Sequence, residues 1–154
     1  MELRYTGLDA DQFKPLFGLD DAALKARGIE RVTCTEKPGC PCRITMEDAE
    51  PGETLLLLSF EHQPANSPYR ANGPVFVREA AVTAYAGADL PPVFAPRLLS
   101  VRAYDDAGMM VDADVVEGRH AQAVFQRMLA QEGVAYLHVH NAKRGCYAGR
   151  VDRA

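Results

Sequence analysis

The clearest alternation of apolar and polar residues lies along residues 134–141. Ala135, Leu137 and Val139 alternate there with Tyr136, His138 and His140. Because successive side chains of a β-strand point to opposite faces of a sheet, this pattern predicts a strand with one apolar and one polar face. The two histidines are therefore expected to project in parallel from the polar face.

A helical periodicity precedes this strand. Apolar residues recur at spacings of three and four along residues 118–131, which predicts one amphipathic helix with a continuous apolar stripe. Gly118 opens the helix, and Gly133 lies where a left-handed residue is expected after its end. The stripe consists of Ala121, Val124, Phe125, Met128 and Leu129. We expect it to pack on a sheet.

Residues 97–105 and 109–116 are typical of a β-hairpin around a three-residue loop that ends at Gly108. Such loops combine a type I turn with a left-handed residue, and glycine adopts that conformation without steric cost. Pairing across this loop predicts that Arg102 lies directly opposite Asp112. A four-residue loop would instead mix apolar and polar side chains on each face, which a sheet with one buried face disfavours.

The first half of the chain carries shorter signals. Two brief helices are predicted within the first thirty residues, since Asp9 and Asp20 suit N-caps and Gly28 suits a helix end. Strands are expected at residues 31–35, 54–60, 74–79 and 146–152, and irregular connections at 37–43, 63–73 and 86–96. Together the elements predict a single α+β domain, residues 1–154. Its mostly antiparallel sheet carries the amphipathic helix, with short N-terminal helices beside it.

Length and charge narrow the class of function. The chain has 154 residues, 17 Lys and Arg against 21 Asp and Glu, and a formal net charge of −4. It has no basic excess or stripe of the kind that binds nucleic acids or anionic membranes. It also lacks a signal-peptide pattern and any run near the ~20 apolar residues of a membrane helix. We therefore expect a cytoplasmic protein that binds neither nucleic acid nor membrane, with a small molecule as the candidate partner; its oligomeric state stays open.

The paired histidines are the strongest candidate for chemistry. Positions i and i+2 of a strand lie roughly 6.5–7 Å apart, so His138 and His140 can converge on one metal ion or one anionic group. Imidazole also titrates near neutral pH, which suits a general acid or base. The alternative interpretation is that both rings are half-buried and hydrogen-bonded within the sheet.

The second unusual feature is the segment Cys40-Pro41-Cys42-Arg43, in a loop that two prolines and a glycine exclude from helix and central strand. Without a secretion signal, free thiols, a metal site or redox chemistry are favoured over structural disulfides. Arg43 is expected to favour a thiolate at Cys40 or Cys42. With the two histidines these cysteines would form a four-ligand zinc site, although zinc-binding cysteines usually have two to four residues between them. Thiol chemistry and inert packing of a rigid loop remain alternatives.

Other residues are candidates for holding a ligand. His62 directly follows a leucine-rich strand and precedes a long loop with Arg70, and loops at strand ends often carry binding residues. The guanidinium groups of Arg43 and Arg70 suit a carboxylate or phosphate. The hairpin would continue the polar face of the histidine strand, unless its charged residues form an ordinary cross-strand pair. The full set comprises Arg43, His62, Arg70, Arg102, Asp112, Tyr136 and Cys146.

Several motifs combine along nearly the whole chain. They are Gly-Cys-Pro-Cys-Arg at 39–43, Phe-Glu-His-Gln-Pro at 60–64, Tyr-Arg-Ala-Asn-Gly-Pro-Val-Phe-Val-Arg-Glu at 69–79, Arg-Ala-Tyr-Asp at 102–105 with Asp-Ala-Asp-Val-Val at 112–116, and His-Val-His-Asn-Ala at 138–142 with Gly-Cys-Tyr-Ala at 145–148. In this combination the chain resembles the bacterial domain-of-unknown-function family 1203. The resemblance implies a single small bacterial domain and no established activity.

The sequence thus predicts a small-molecule or metal site on the histidine strand, with the cysteine loop contributing and Zn²⁺ as the candidate cofactor. In an enzyme, a histidine would act as general acid or base and a thiolate as nucleophile or metal ligand. His138, His140, Cys40 and Cys42 are accordingly the candidate catalytic and metal-binding residues. The competing hypothesis is a non-catalytic binding module, or a redox sensor whose thiols respond to oxidants.

Overall fold

The computed structural model describes residues 1–154, which form nine β-strands and two α-helices. The strands are β1 (Leu3–Thr6), β2 (Glu30–Thr33), β3 (Thr54–Gln63), β4 (Ala71–Arg78), β5 (Ala86–Gly87), β6 (Leu98–Tyr104), β7 (Met110–Glu117), β8 (Tyr136–Asn141) and β9 (Tyr147–Arg153). The α-helices are α1 (Asp21–Ala26) and α2 (Ala121–Leu129), and short 3₁₀ helices occupy Ala10–Gln12, Lys14–Gly18 and Gly118–His120. All strand neighbours are antiparallel, so the predicted α+β class is confirmed.

The larger sheet has six strands in the order β5-β1-β9-β8-β6-β7. α2 packs on one face of this sheet, where its apolar stripe shares a core with Leu137 and Val139 of β8. β7, α2 and β8 form a crossover unit, because β7 and β8 flank β6 and both run antiparallel to it. α2 has nine residues, and no helix of the chain is long and apolar enough to cross a membrane.

The strands β2, β3 and β4 form a separate three-stranded sheet. The N-terminal helices contribute to its core, with Phe13 and Leu24 buried in one cluster with Leu56 and Val75. The same cluster contains Tyr147 of β9, which belongs to the larger sheet. The two sheets therefore meet at Tyr147, on the face of the larger sheet that α2 does not cover.

The chain begins with a strand that the sequence analysis did not predict. β1 pairs with β9 and β5, and its residues Leu3 and Tyr5 are buried in the core under α2. The alternation of burial is regular, but four residues are too few for period-two patterning to stand out from the helical signals that follow. The strand therefore precedes the short N-terminal helices that the sequence predicted.

The loop between β6 and β7 has the predicted three-residue form. Gly108 adopts a positive φ of 75°, and the Asp105 backbone N–H donates to the Met109 carbonyl oxygen. The hydroxyl of Ser67 also donates to the Gly108 carbonyl oxygen at 2.8 Å. This contact fixes the hairpin tip against the loop between β3 and β4.

The register beyond this loop differs from the prediction. β7 contains a bulge that leaves Val111 as an extra residue, and after it Ala103 pairs with Asp112. Arg102 consequently lies opposite Ala113, so the prediction that Arg102 faces Asp112 is wrong. A bulge adds one residue to one strand, and side chains alternate with period two, so every later side chain of β7 changes face.

The bulge turns the carboxylates of β7 toward α2 instead of toward the histidine face. Asp114 accepts a hydrogen bond from Arg127 of α2 at 2.5 Å, and Asp112 accepts one from Gln131 at 2.7 Å. Val115 lies on the other face and is 57% exposed. The polar face expected to join Asp112 with the histidines therefore does not form.

Candidate metal centre

Three rows of paired side chains cross the face of the larger sheet that lies opposite α2. Across β6, β8 and β9 these rows are Tyr104–Tyr136, Arg102–His138–Arg150 and Ser100–His140–Tyr147. His138 and His140 share one face of β8, as the alternation predicts, while Leu137 and Val139 are buried on the other. Arg102 and Tyr136, two of the residues selected from the sequence, also lie on this face.

His62 reaches the same face from the smaller sheet. The pairing of β3 with β4 is irregular between Phe60 and Gln63, and His62 lies within this stretch. Its ring stacks on Tyr147, with centroids 5.3 Å apart and planes inclined by 5°. It also makes edge contacts with His140 and His138, at centroid distances of 5.0 and 6.4 Å. The contact between the sheets thus adds a third imidazole to the pair.

The three histidines direct nitrogen atoms toward one another. One ring nitrogen from each lies within 4.8 Å of the corresponding nitrogens of the other two. Nδ1 of His62, Nδ1 of His138 and Nε2 of His140 are buried and have no hydrogen-bond partner. Nδ1 of His140 donates to the Gly145 carbonyl oxygen at 2.8 Å, so its Nε2 carries the free lone pair. A backbone carbonyl is one of the usual partners for the second ring nitrogen of a metal-binding histidine.

Burial keeps these imidazoles neutral. It lowers the pKa of His138 to about 3, and the neighbouring ring of His140 adds to the effect. Burial lowers the pKa of His140 to about 4, although the hydrogen bond to Gly145 acts in the opposite direction. The pKa of His62 is also lowered, by burial and by the charge of Arg102. At neutral pH all three rings are in the form that binds metal ions.

A cleft of about 400 Å³ lies beside the cluster, and His62 and His138 form part of its lining. Tyr136 and Arg150 also line it, and the Arg150 guanidinium carbon lies 4.2 Å from the centre of the Tyr136 ring. The side chain of Arg150 is further fixed by both carboxylate oxygens of Asp152. The histidine cluster is therefore next to a space that a small ligand can enter.

Most of the chain, residues 39–153, matches a family described as Protein of unknown function (DUF1203). The chain belongs to this family. No curated protein and no solved structure matches it significantly. The matched segment contains the three clustered histidines and the cysteine loop, whereas β1, α1 and β2 lie outside it.

The cysteine loop does not offer an accessible thiol. Cys40 is 8% exposed and packs with Cys34, Ala49 and Leu55, while Cys42 is completely buried. All four cysteines are free, and none belongs to the group of ligand atoms formed by the histidines. Cys40 and Cys42 therefore do not join His138 and His140 in the four-ligand arrangement considered from the sequence.

The charge state of this loop also differs from the expectation. Burial, together with the neighbouring Cys34 thiol, raises the pKa of Cys40 to about 11, so the thiol is protonated at neutral pH. The Cys42 sulfur accepts backbone N–H groups of Ile44 and Arg78 at 3.4 Å. Arg43 does not stabilise a thiolate as proposed, because its guanidinium donates to backbone carbonyl oxygens. A protonated, buried thiol is a poor nucleophile and a poor metal ligand.

The remaining candidates lie outside the histidine cluster. Arg70 is exposed and pairs with Glu61 at 3.1 Å. Cys146 is half-buried and lines a different cleft, together with the buried Arg43. Asp112 lies on the face of α2. Tyr147 and Arg150 were not among the residues selected from the sequence. Both lie on the histidine face, because the pairing of β8 with β9 shifts by one residue between them and so changes the simple alternation along β9.

We predict that Cys146 is the only thiol of the native chain that reacts quickly with an anionic disulfide reagent. It is half-buried at a cleft lined with cationic side chains, whereas the other three cysteines are buried. Titration with dithionitrobenzoate should release one fast equivalent per chain and the rest only on unfolding. The variant Cys146→Ser should lose the fast equivalent, and a fast phase that persists in this variant would contradict the prediction.

Proposed function

We propose that this protein binds a zinc ion through His62, His138 and His140. Two observations support the proposal: one ring nitrogen of each histidine lies within 4.8 Å of those of the other two, and each ring has one buried nitrogen without a hydrogen-bond partner. A buried polar atom without a partner costs about 1–3 kcal/mol, so three in one place need a compensating interaction. One metal ion would satisfy all three nitrogens together.

The chemistry of this ligand set favours zinc. Three neutral imidazoles leave one of zinc's four coordination positions open, which is the arrangement of catalytic rather than structural zinc sites. Tetrahedral coordination with bonds of ~2.0–2.1 Å keeps the nitrogens about 3.4 Å apart. Binding would therefore draw the rings together by about 1.4 Å at most. Rotation about the side-chain torsions supplies such a movement.

The charges around the cluster favour an anion at the open position. Arg102 and Arg150 flank His138 in one cross-strand row, and the charge of Arg102 contributes to the lowered pKa of all three imidazoles. Arg150 is neutralised by Asp152, whereas Arg102 forms no ion pair. A bound metal would add further positive charge. We therefore infer that the metal is completed by hydroxide or by an anionic group of a small ligand from the adjacent cleft.

The alternatives based on the cysteine loop receive less support. A redox sensor needs a thiol that oxidants can reach and that ionises near neutral pH. Cys40 and Cys42 are buried, and burial raises the pKa of Cys40. The proposal therefore replaces the two cysteines of the sequence-based zinc site with the single imidazole of His62.

Titration of metal-free protein with Zn²⁺ by calorimetry tests this proposal, with Co²⁺ absorption as an independent readout of coordination. The expected result is one site per chain. Replacing His62, His138 or His140 singly with alanine should weaken zinc binding at least ~100-fold. Loss of a residue that only hydrogen-bonds to a metal ligand typically weakens binding about 10–100-fold, so this loss should be larger.

The fourth histidine provides a matched control. His120 is exposed in the 3₁₀ turn before α2, so His120→Ala should leave zinc affinity unchanged. The proposal fails if wild-type protein takes up no zinc. It also fails if His120→Ala weakens binding as much as the three cluster variants.

A further inference from the structure

A second cleft, of about 780 Å³, shares no lining residue with the one beside the histidines. Four cationic side chains line it: Arg43, Arg97, Lys143 and Arg144. No aspartate or glutamate lines it, although the chain as a whole has a net charge of −4. The positive charge of this surface, the cationic cleft, is therefore a local feature.

The buried arginine of this cleft has no acidic partner. Arg43 is 3% exposed, and its Nε and Nη1 donate to the carbonyl oxygens of Tyr147 and Pro41. Its Nη2 makes no hydrogen bond within the protein. The one carboxylate nearby, Asp48, is held by both terminal nitrogens of Arg97, at 2.7 and 2.8 Å. A guanidinium buried without a counter-ion is unfavourable, and an anion in the cleft would relieve this.

The rim of the cleft adds two positively charged side chains that have no ion-pair partner. Lys143 and Arg144 are exposed in the turn between β8 and β9, and neither forms an ion pair or a side-chain hydrogen bond. They are free to turn toward a bound anion. Arginine and lysine side chains that converge from three segments of the chain form an arrangement typical of carboxylate or phosphate recognition.

Apolar side chains form another part of the lining. Leu57, Pro74 and Phe76 of the smaller sheet contribute, and Leu98 is 41% exposed. The volume lies within the roughly 300–1,000 Å³ of pockets for small organic ligands, which combine an apolar lining with few polar groups. The cleft therefore fits a molecule with an anionic group and a hydrophobic part of about ring size.

We propose that the cationic cleft binds a small organic anion, with its carboxylate or phosphate held by Arg43, Lys143 and Arg144. Its apolar part would lie against Phe76 and the neighbouring apolar side chains. This site is separate from the proposed zinc site and does not depend on it.

Calorimetric titration with phenyl phosphate tests this proposal, because the probe combines an anionic group with an apolar ring. Charge reversal of the rim, Lys143→Glu with Arg144→Glu, should weaken binding at least about tenfold, since both changes replace an attraction with a repulsion. The matched control is Lys25→Glu with Arg27→Glu in the exposed α1 region, which changes the net charge equally. The control should bind the probe as wild type does.

Probes that lack or replace one part of phenyl phosphate show which part of the molecule provides the affinity. Benzyl alcohol should not compete with phenyl phosphate, because it lacks the anionic group. Inorganic phosphate should compete but bind more weakly, because it lacks the ring. Benzoate should also bind, since the same cations suit a carboxylate.

Several outcomes would overturn the proposal. One is equal weakening in the rim variant and the α1 control, which would mean a general charge effect. Another is binding of RNA or of anionic vesicles through Lys143 and Arg144 without binding of phenyl phosphate. A third is loss of phenyl phosphate binding in His62→Ala but not in the rim variant, which would locate the anion at the histidine cluster.

Discussion

Zinc is expected to raise the melting temperature of the wild-type chain by about 5–10 °C when free zinc exceeds its dissociation constant 100-fold. A ligand that binds only the native state adds about 2.7 kcal/mol to the free energy of unfolding under this condition. For a chain of this size each kilocalorie corresponds to roughly 2–4 °C. The ligands come from β3 and β8, which are far apart in sequence, so the unfolded chain does not hold them together. Differential scanning calorimetry with and without zinc measures the shift.

The variants separate this effect from non-specific binding of zinc. His62→Ala should abolish the shift, whereas His120→Ala should keep it, because His120 is exposed and does not belong to the histidine cluster. A shift that survives in His62→Ala would mean that zinc stabilises the fold through other groups. That result would contradict the proposed three-histidine site.

The metal-free protein offers a second comparison at the same site. His138→Phe keeps an aromatic ring of similar shape but removes the buried Nδ1 that has no partner. Because an unpartnered buried nitrogen costs about 1–3 kcal/mol, the variant should be as stable as the metal-free wild type or more so. If instead the variant loses several kcal/mol, the imidazole is a structural group of the core, and the binding role is wrong.

The histidine face was predictable because its signal is local. Alternation along β8 determines which side chains share a face, and the burial of Leu137 and Val139 under α2 confirms the assignment. The third histidine was selected for its place at a strand end, but its partners were not predictable. His62 meets His140 only because the smaller sheet packs against β9 at Tyr147, a contact between distant parts of the chain. Single-sequence periodicity carries no information about such packing.

The wrong predictions have an equally specific cause. The loop at Gly108 was identified correctly, yet one bulged residue, Val111, reversed the faces of the rest of β7. Bulges leave little trace in composition, because Val111 suits either register. For the cysteine loop, proline and glycine correctly indicated irregular backbone, but irregular backbone is not always exposed. Cys42 is buried because the loop is pinned between β4 and Tyr147, through the Cys42–Phe76 bridge and the hydrogen bond of Arg43 to Tyr147.

Removing one partner of the ion pair between Arg97 and Asp48 is expected to destabilise the protein more than breaking any other charged pair. Arg97→Met should lower the free energy of unfolding by about 3–5 kcal/mol, because it leaves the buried charge of Asp48 without its partner. The Asp48 side chain is 6% exposed and receives two hydrogen bonds from Arg97. Urea denaturation measures the loss. Replacing both residues, by Arg97→Met with Asp48→Leu, should recover much of it, since no unpaired charge then remains.

Arg127→Met is the matched control, because Arg127 and Asp114 form a similar but exposed pair, with side chains 53% and 43% accessible. Exposed pairs contribute roughly 0–1 kcal/mol, so this variant should be nearly neutral. If Arg97→Met is no more destabilising than Arg127→Met, the buried pair does not hold the structure together. The expected difference also bears on the cationic cleft. Asp48 lies five residues after Arg43, and Arg97 directly precedes β6 of the larger sheet. The ion pair between Asp48 and Arg97 therefore holds the segment that contains Arg43, which lines the cleft, against the larger sheet.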